Sequence, residues 1–188
     1  MITLIGLSGS LRRGSFNTGL LRAATTVLPP DVTLDLRTLH GIPLYDADLE
    51  THEGIPTSVV TLKEAIASAH GVLMATPEYN NGVPGVFKNA IDWLSRPADD
   101  IKRIFGNRPF ALIGASPGGF GTTLSQAAWL PVLRTLGTRP WFGSRLLVSK
   151  AQQVFDDQGA LQDSQVREQL QRFVLGFVTF VREQSPRA

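Results

Sequence analysis

Cysteine is absent from this chain of 188 residues, and histidine occurs only 3 times. Without thiols there is no disulfide, no thiolate nucleophile and no sulfur-ligated metal, so any redox chemistry must belong to a cofactor. No apolar run approaches the ~20 residues that a membrane span requires, and no basic-then-apolar leader precedes the first strand-like segment. An excess of one charge is also lacking: 18 Lys and Arg face 16 Asp and Glu, a formal +2 despite a calculated pI near 9.3. No lysine tract or basic run interleaved with aromatics occurs, which argues against nucleic acid as a partner. The expectation is a soluble, cytoplasmic protein with neither a membrane nor a nucleic-acid partner.

What is present is a well-supplied core. Hydrophobic residues make up 43% of the chain, ample for one compact unit, and no linker, repeat or low-complexity tract divides residues 1–188. Ile2, Leu4, Ile5 and Leu7 form a short apolar run suited to a buried parallel strand. Leu20, Leu21, Ala24, Val27 and Leu28 then share one helical face, which Pro29 and Pro30 end. Val32, Leu34 and Leu36 alternate with polar residues, the pattern of a strand near a sheet edge. Leu39 to Pro56 reads as loop; His40 and His52 lie in it without partners at ligand spacing, so no metal is expected.

Val59 to Ala69 predicts a helix, Gly71 to Thr76 a wholly apolar strand, and Val86 to Leu94 a helix that Pro84 helps to start. Arg96 to Asn107 reads as a polar connection, and Phe110 to Gly114 as another buried strand. Leu124 to Leu136 is helical, with Pro131 expected to kink it. The last strand is placed near Trp141 to Leu147, before an amphipathic helix marked by Val166, Leu170, Phe173, Val174, Phe177 and Val181. Strand and helix alternate five times, which predicts an α/β sandwich of three layers around a five-stranded parallel sheet.

Three loops stand out, following strands one, three and four. The first, Ser8 to Asn17, is rich in hydroxyls, glycines and arginines and leads into a helix. Helix N-termini carry unpaired N–H groups and partial positive charge; Ser10, Ser15 and Asn17 add short donors, and Arg12 adds a planar fork matched to phosphate. The same residues equally suit an ordinary capped helix, with Ser15 or Asn17 as N-cap. Neither a Walker loop nor G-x-G-x-x-G is present, so a monophosphate fits better than a nucleoside triphosphate. The second loop offers Pro77, Glu78, Tyr79, Asn80 and Asn81; the third offers Ser116, Pro117, Gly118 and Gly119, where a flat ligand can approach the backbone. With strand order 2-1-3-4-5 all three loops meet at one edge, where ligands of such sheets bind. A planar heterocycle with an anionic tail, such as FMN, satisfies all three.

The segments SGSLRRGSFN, TPEYNNGVPGVFKNAIDWLSRP and GASPGG resemble the NADPH-dependent FMN reductase family of the flavodoxin-like fold, the group that includes chromate and quinone reductases. The resemblance covers roughly the first two thirds of the chain. It implies that Ser10, Arg12, Ser15, Phe16 and Asn17 hold the FMN phosphate. It also implies that Pro77 to Asn81 contact the isoalloxazine ring, and that Ser116 to Gly119 form the other wall. NADPH or NADH is then the co-substrate. It stacks on the exposed ring face and gives up a hydride, after which a small-molecule acceptor such as a quinone, chromate or free flavin takes its place. The family is commonly dimeric or tetrameric, so a homodimer or homotetramer is expected, with Phe87, Trp93 and Trp129 as candidate interface or core aromatics. No catalytic acid or base is named; Glu78 is the tempting one, and a loop carboxylate paired with an arginine is the plainer reading of it.

Two other classes compete. Gly114, Ala115, Ser116, Pro117 and Gly118 match the G-x-S-x-G of serine hydrolases, but the residue after the serine must lend its N–H to the oxyanion hole, and proline has none. All three histidines also precede Ser116. A non-catalytic flavodoxin-like electron carrier is the other alternative; strong acidity would be expected of it, and this chain is not acidic.

Overall fold

The computed structural model describes residues 1–184. Its elements run β1 (Ile2–Ser8), α1 (Phe16–Thr25), β2 (Val32–Arg37), α2 (Ala47–Glu53), α3 (Thr57–Ser68), β3 (Gly71–Ala75), α4 (Gly85–Leu94), α5 (Ile101–Ile104), β4 (Pro109–Ala115), α6 (Thr123–Thr135), β5 (Arg139–Pro140), β6 (Leu146–Val148) and α7 (Ser164–Gln184). The strands form one parallel sheet in the order β2-β1-β3-β4-β5, with β6 also paired to β4. This is the flavodoxin-like arrangement expected, except that the fifth strand is two short pieces.

The strands separate two cores because alternate side chains point to opposite faces. Leu4, Leu73, Ala111 and Ile113 pack under α1 and α7 with Leu20, Leu21, Phe173 and Phe177. Ile5, Leu7, Val72 and Met74 face the other way, against α3, α4 and α6, with Phe87, Trp93, Trp129 and Leu133. Phe87, Trp93 and Trp129 are all 0% exposed, so these three aromatics are core rather than interface. Phe87 lies edge-on to Trp129 at 4.9 Å between centroids, directly beneath the first loop. A Cβ on Gly9 would fall 2.1 Å from the Phe87 ring, so only glycine lets that loop rest on the aromatic.

Three stretches depart from the sequence expectation. The segment from Leu39 to Pro56 contains the helix α2, started by the Asp46 side chain accepting from Asp48 N–H. None of its residues is buried, so it carries no apolar stripe by which to recognise it. It is tied down by side chains: Tyr45 Oη donates to Glu50, and Arg96 binds the same carboxylate at 2.9 Å, holding Glu50 below the ordinary glutamate range. The polar connection around Arg96 to Asn107 contains a 3-10 turn and α5, and its Ile104 and Phe105 are buried. The strand placed at Trp141 to Leu147 is interrupted. Phe110 pairs with Pro140, Trp141 N–H donates to Phe110 O, and the next pair is Ile113 with Leu146, so residues 142–145 bow out from β4. Trp141 turns its ring into the α7 core instead, 4.8 Å from Phe173. Pro131 lies within α6, which continues to Thr135.

Candidate functional site

The loops that follow β1, β3 and β4 all leave the carboxyl edge of the sheet, and they meet. One cleft of about 280 Å³ is lined by Ser10, Arg12, Ser15, Phe16 and Asn17 from the first loop, Pro77, Glu78 and Tyr79 from the second, and Ala115, Ser116 and Pro117 from the third. The parallel topology causes this: β1 and β3 are neighbours while α1 and α4 cover opposite faces, which opens a crevice between their connections.

In the first loop Ser15 is the N-cap of α1, its Oγ accepting from Thr18 N–H at 3.3 Å. Ser10 Oγ accepts from Arg12 N–H at 3.3 Å, and Ser15 N–H donates to Arg12 O. The N–H groups of Phe16 and Asn17, in the first helical turn, have no acceptor among the described residues. The Arg12 guanidinium lies 4.6 Å from the centre of the Phe16 ring and has no carboxylate partner among the described residues. Unpaired amides, a dipole end and an uncommitted planar fork are what an oxygen-rich anion requires. Of the two readings left open by the sequence the structure shows the capped helix, and its capped end still has donors to spare.

Asn17, expected to contact a ligand, lines the cleft and also has a structural task. Its side chain is buried and bonded at both ends, Nδ2 donating to Ala115 O and Oδ1 accepting from Ala115 N–H, both at 2.9 Å. The amide stands in for a neighbouring strand, fastening α1 to the end of β4, while its backbone N–H has no acceptor among the described residues.

The second loop is a tight turn. Tyr79 and Gly82 exchange backbone hydrogen bonds, and Asn80 and Asn81 between them have φ of 50° and 61°. Left-handed values at both central positions suit asparagine, so the N-N pair serves the turn and its side chains do not line the cleft. Tyr79 is exposed at the rim. Glu78 is paired with no arginine among the described residues: its Oε2 accepts from Leu124 N–H at 2.8 Å and Ser125 N–H at 2.9 Å. Behind it Thr76, fully buried, accepts from Trp129 Nε1, shares a hydrogen bond with Ser125 Oγ and donates to Pro77 O.

The third loop is shaped by Ser116, whose buried hydroxyl donates to Gly121 O, and by Gly118 O accepting from Lys150 N–H. That hydroxyl is committed to Gly121 O and no histidine bonds it, which with Pro117 counts against the hydrolase reading. Gly118 and Gly119 stand beyond the lining, yet a Cβ on Gly119 would meet nothing within 4 Å, so the space over them is open. Ala115, absent from the sequence-derived set, lines the cleft; its position at the end of an apolar strand was the available signal. A second groove, about 300 Å³, lies between α6 and the bowed residues 142–145; its walls include Leu130, Leu133, Trp141 and Phe142, and it shares no lining residue with the three-loop cleft. Among the described residues no cluster of His, Asp and Glu could hold a metal, and no helix is long and apolar enough to cross a membrane.

The profile of the NADPH-dependent FMN reductase family matches residues 2–153. The chain belongs to that family. It is 40% identical over 181 residues to an NAD(P)H-dependent FMN reductase of Pseudomonas aeruginosa, covering 96% of each chain. It is 35% identical over 175 residues to a 2-hydroxy-1,4-benzoquinone reductase of Burkholderia sp, covering 93% of each. Among solved structures it is similar to FerB, a flavoenzyme NAD(P)H:(acceptor) oxidoreductase of Paracoccus denitrificans, with a TM-score of 0.85, 32% identity, and coverage of 97% of this chain and 98% of that one. The three loops expected to hold FMN meet at the cleft described above, and the donors left unpaired there suit an anionic tail.

Proposed function

We propose that this protein is an FMN-dependent NAD(P)H oxidoreductase that reduces a small-molecule acceptor such as a quinone, chromate or free flavin, the whole chain 1–188 serving as one FMN-binding domain. The observation that carries the reading is the α1 N-terminus. Free N–H groups at Phe16 and Asn17 stand there beside the Ser15 hydroxyl and the uncommitted Arg12, in the same cleft as the second and third loops. The relatives named for FMN, quinone and acceptor reduction over nearly their full lengths support the chemistry.

Bound FMN supplies the hydride acceptor and donor. The chain's own residues then do three things. The Phe16 and Asn17 amides, Ser15 and Arg12 neutralise and orient the phosphate. Pro77, Tyr79 and Pro117 offer flat, stiff walls with few rotors, so little entropy is lost when a planar ring lies against them. Tyr79 at 47% exposure and Phe120 at 84% leave the rim open and apolar, giving a nicotinamide and later an acceptor a surface to stack on in turn. Glu78 is committed to two backbone amides and is not the proton donor.

The same exposed rim, with Leu124 beside it, supports a homodimer or homotetramer as the working form. A cytoplasmic location agrees with a reductant, NAD(P)H, that is an intracellular coenzyme. The test is an absorbance spectrum of the purified protein followed by steady-state NADPH and NADH oxidation with quinone, chromate and FMN as acceptors. A flavin spectrum with turnover is expected; a yellow protein that turns over none of them would favour the electron carrier, and one that takes up no added FMN would overturn both.

A further inference from the structure

α6 begins without a cap of its own. Thr122 occupies the N-cap position, but its side chain makes no capping hydrogen bond, and its hydroxyl instead accepts from Gln126 Nε2. A helix of 13 residues leaves its first amides unpaired in that case, with the positive end of its dipole uncompensated. The missing acceptor comes from far away in sequence. Glu78 Oε2 receives the N–H groups of Leu124 and Ser125, the second and third residues of the helix, which are the pair an N-cap side chain ordinarily serves. The adjoining Thr76 hydroxyl bonds Ser125 Oγ at 2.9 Å and Trp129 Nε1 at 3.0 Å, so the end of β3 meets the start of α6 through four hydrogen bonds.

We propose that Glu78 is a positioning residue that caps α6 in trans, locking the second loop to the start of α6 and cancelling that helix's positive end beside the FMN cleft. The inference rests on FMN occupying that cleft. Two consequences separate it from a loop carboxylate of no account. The third loop, residues 116–122, hangs between β4 and α6, so its position depends on where α6 begins. And because the carboxylate is negative and consumes the helix end, the ring sees less positive potential than an open helix N-terminus would offer; added electron density on the flavin is disfavoured.

Two variants divide the roles. Glu78→Ala removes the acceptor; Glu78→Gln keeps an acceptor oxygen and removes the charge. In apo-protein, amide hydrogen exchange at Leu124 and Ser125 is expected to quicken at least fivefold in Glu78→Ala and to stay within about twofold in Glu78→Gln. FMN affinity, by fluorescence titration, is expected to fall at least fivefold in Glu78→Ala only. In Glu78→Gln the affinity for reduced over oxidised FMN is expected to rise about tenfold, a gain of about 30 mV in the two-electron midpoint potential. Unchanged exchange at Leu124 and Ser125 in Glu78→Ala would overturn the cap, whatever the protein binds. An unmoved potential in Glu78→Gln would overturn the electrostatic half. Wild-type protein that takes up no FMN would sink the functional reading alone, since the exchange experiment needs no flavin.

Discussion

Two helices begin at the same edge of the sheet, and their N-termini are treated in opposite ways. α1 is capped by its own Ser15 yet keeps the Phe16 and Asn17 amides and the Arg12 fork uncommitted. α6 lacks a side-chain cap of its own and is closed from outside by Glu78. Both dipoles would attract an anion; only one is left able to do so. The difference teaches that only α1 offers an anion free donors, and the proposed FMN would accordingly lie with its tail toward α1 and the rest toward the loops that Glu78 holds together.

The asymmetry can be broken most forcefully from below. Gly114 lies under the entry to α6, where a Cβ would stand 2.1 Å from Thr122 Oγ1 and 2.4 Å from Thr76 O. Backbone cannot yield as a flexible side chain does, so Gly114→Ala is expected to cost about 3 kcal/mol or more of folding stability, read by urea denaturation. At the α1 side the matching lesion is Asn17→Ala, which strands the buried N–H and C=O of Ala115. About 2 to 4 kcal/mol of stability in the apo-protein is expected to go, because each orphaned group bears its own desolvation penalty. Arg12→Ala sharpens the contrast instead. Its guanidinium is exposed and has no carboxylate partner among the described residues, so apo-stability is expected to hold while FMN binding weakens by about 1.5 to 3 kcal/mol, measured by titration; unchanged affinity would take the first loop out of the site.

The mildest test is a control near the start of β4, at the opposite end of the sheet. Asp100 bonds Arg103 and the buried Lys63, and those two cations hold its carboxyl down to about 2 from an ordinary 3.8. A depressed carboxyl stabilises the fold above its unfolded value and loses that contribution as pH falls from about 4 toward about 2. Asp100→Asn is expected to flatten the acid limb of the stability profile in that window while leaving FMN affinity at neutral pH as it was. A change in flavin affinity would show that the two ends of the sheet are coupled.

Much of this was readable beforehand. The runs around Leu4, Leu73 and Ala111 are too apolar for anything but buried strands, and Leu170, Phe173 and Phe177 leave α7 no other face to bury. The helix Ala47–Glu53 escaped because local caps and ion pairs hold it, with no buried side chain to impose a period. The fifth strand was drawn too long because Trp141 suits either a strand or the α7 core, and the choice depends on Phe173, over 30 residues away.

At the site, the three loops stood out by their glycines, hydroxyls and amides, but the parts given to single residues came from the resemblance, and the left-handed turn at Asn80 and Asn81 appears only in the structure. By itself the chain order determined the alternation of strand and helix, and so the edge at which those loops emerge. Only the tertiary structure assigned the work of individual side chains. It turned Asn17 into a substitute for a strand and made Glu78 the cap of a helix 46 residues away. The reason is physical: a hydrogen-bonding side chain serves whichever unpaired buried group the fold brings within 3 Å, and local sequence does not record which group that will be.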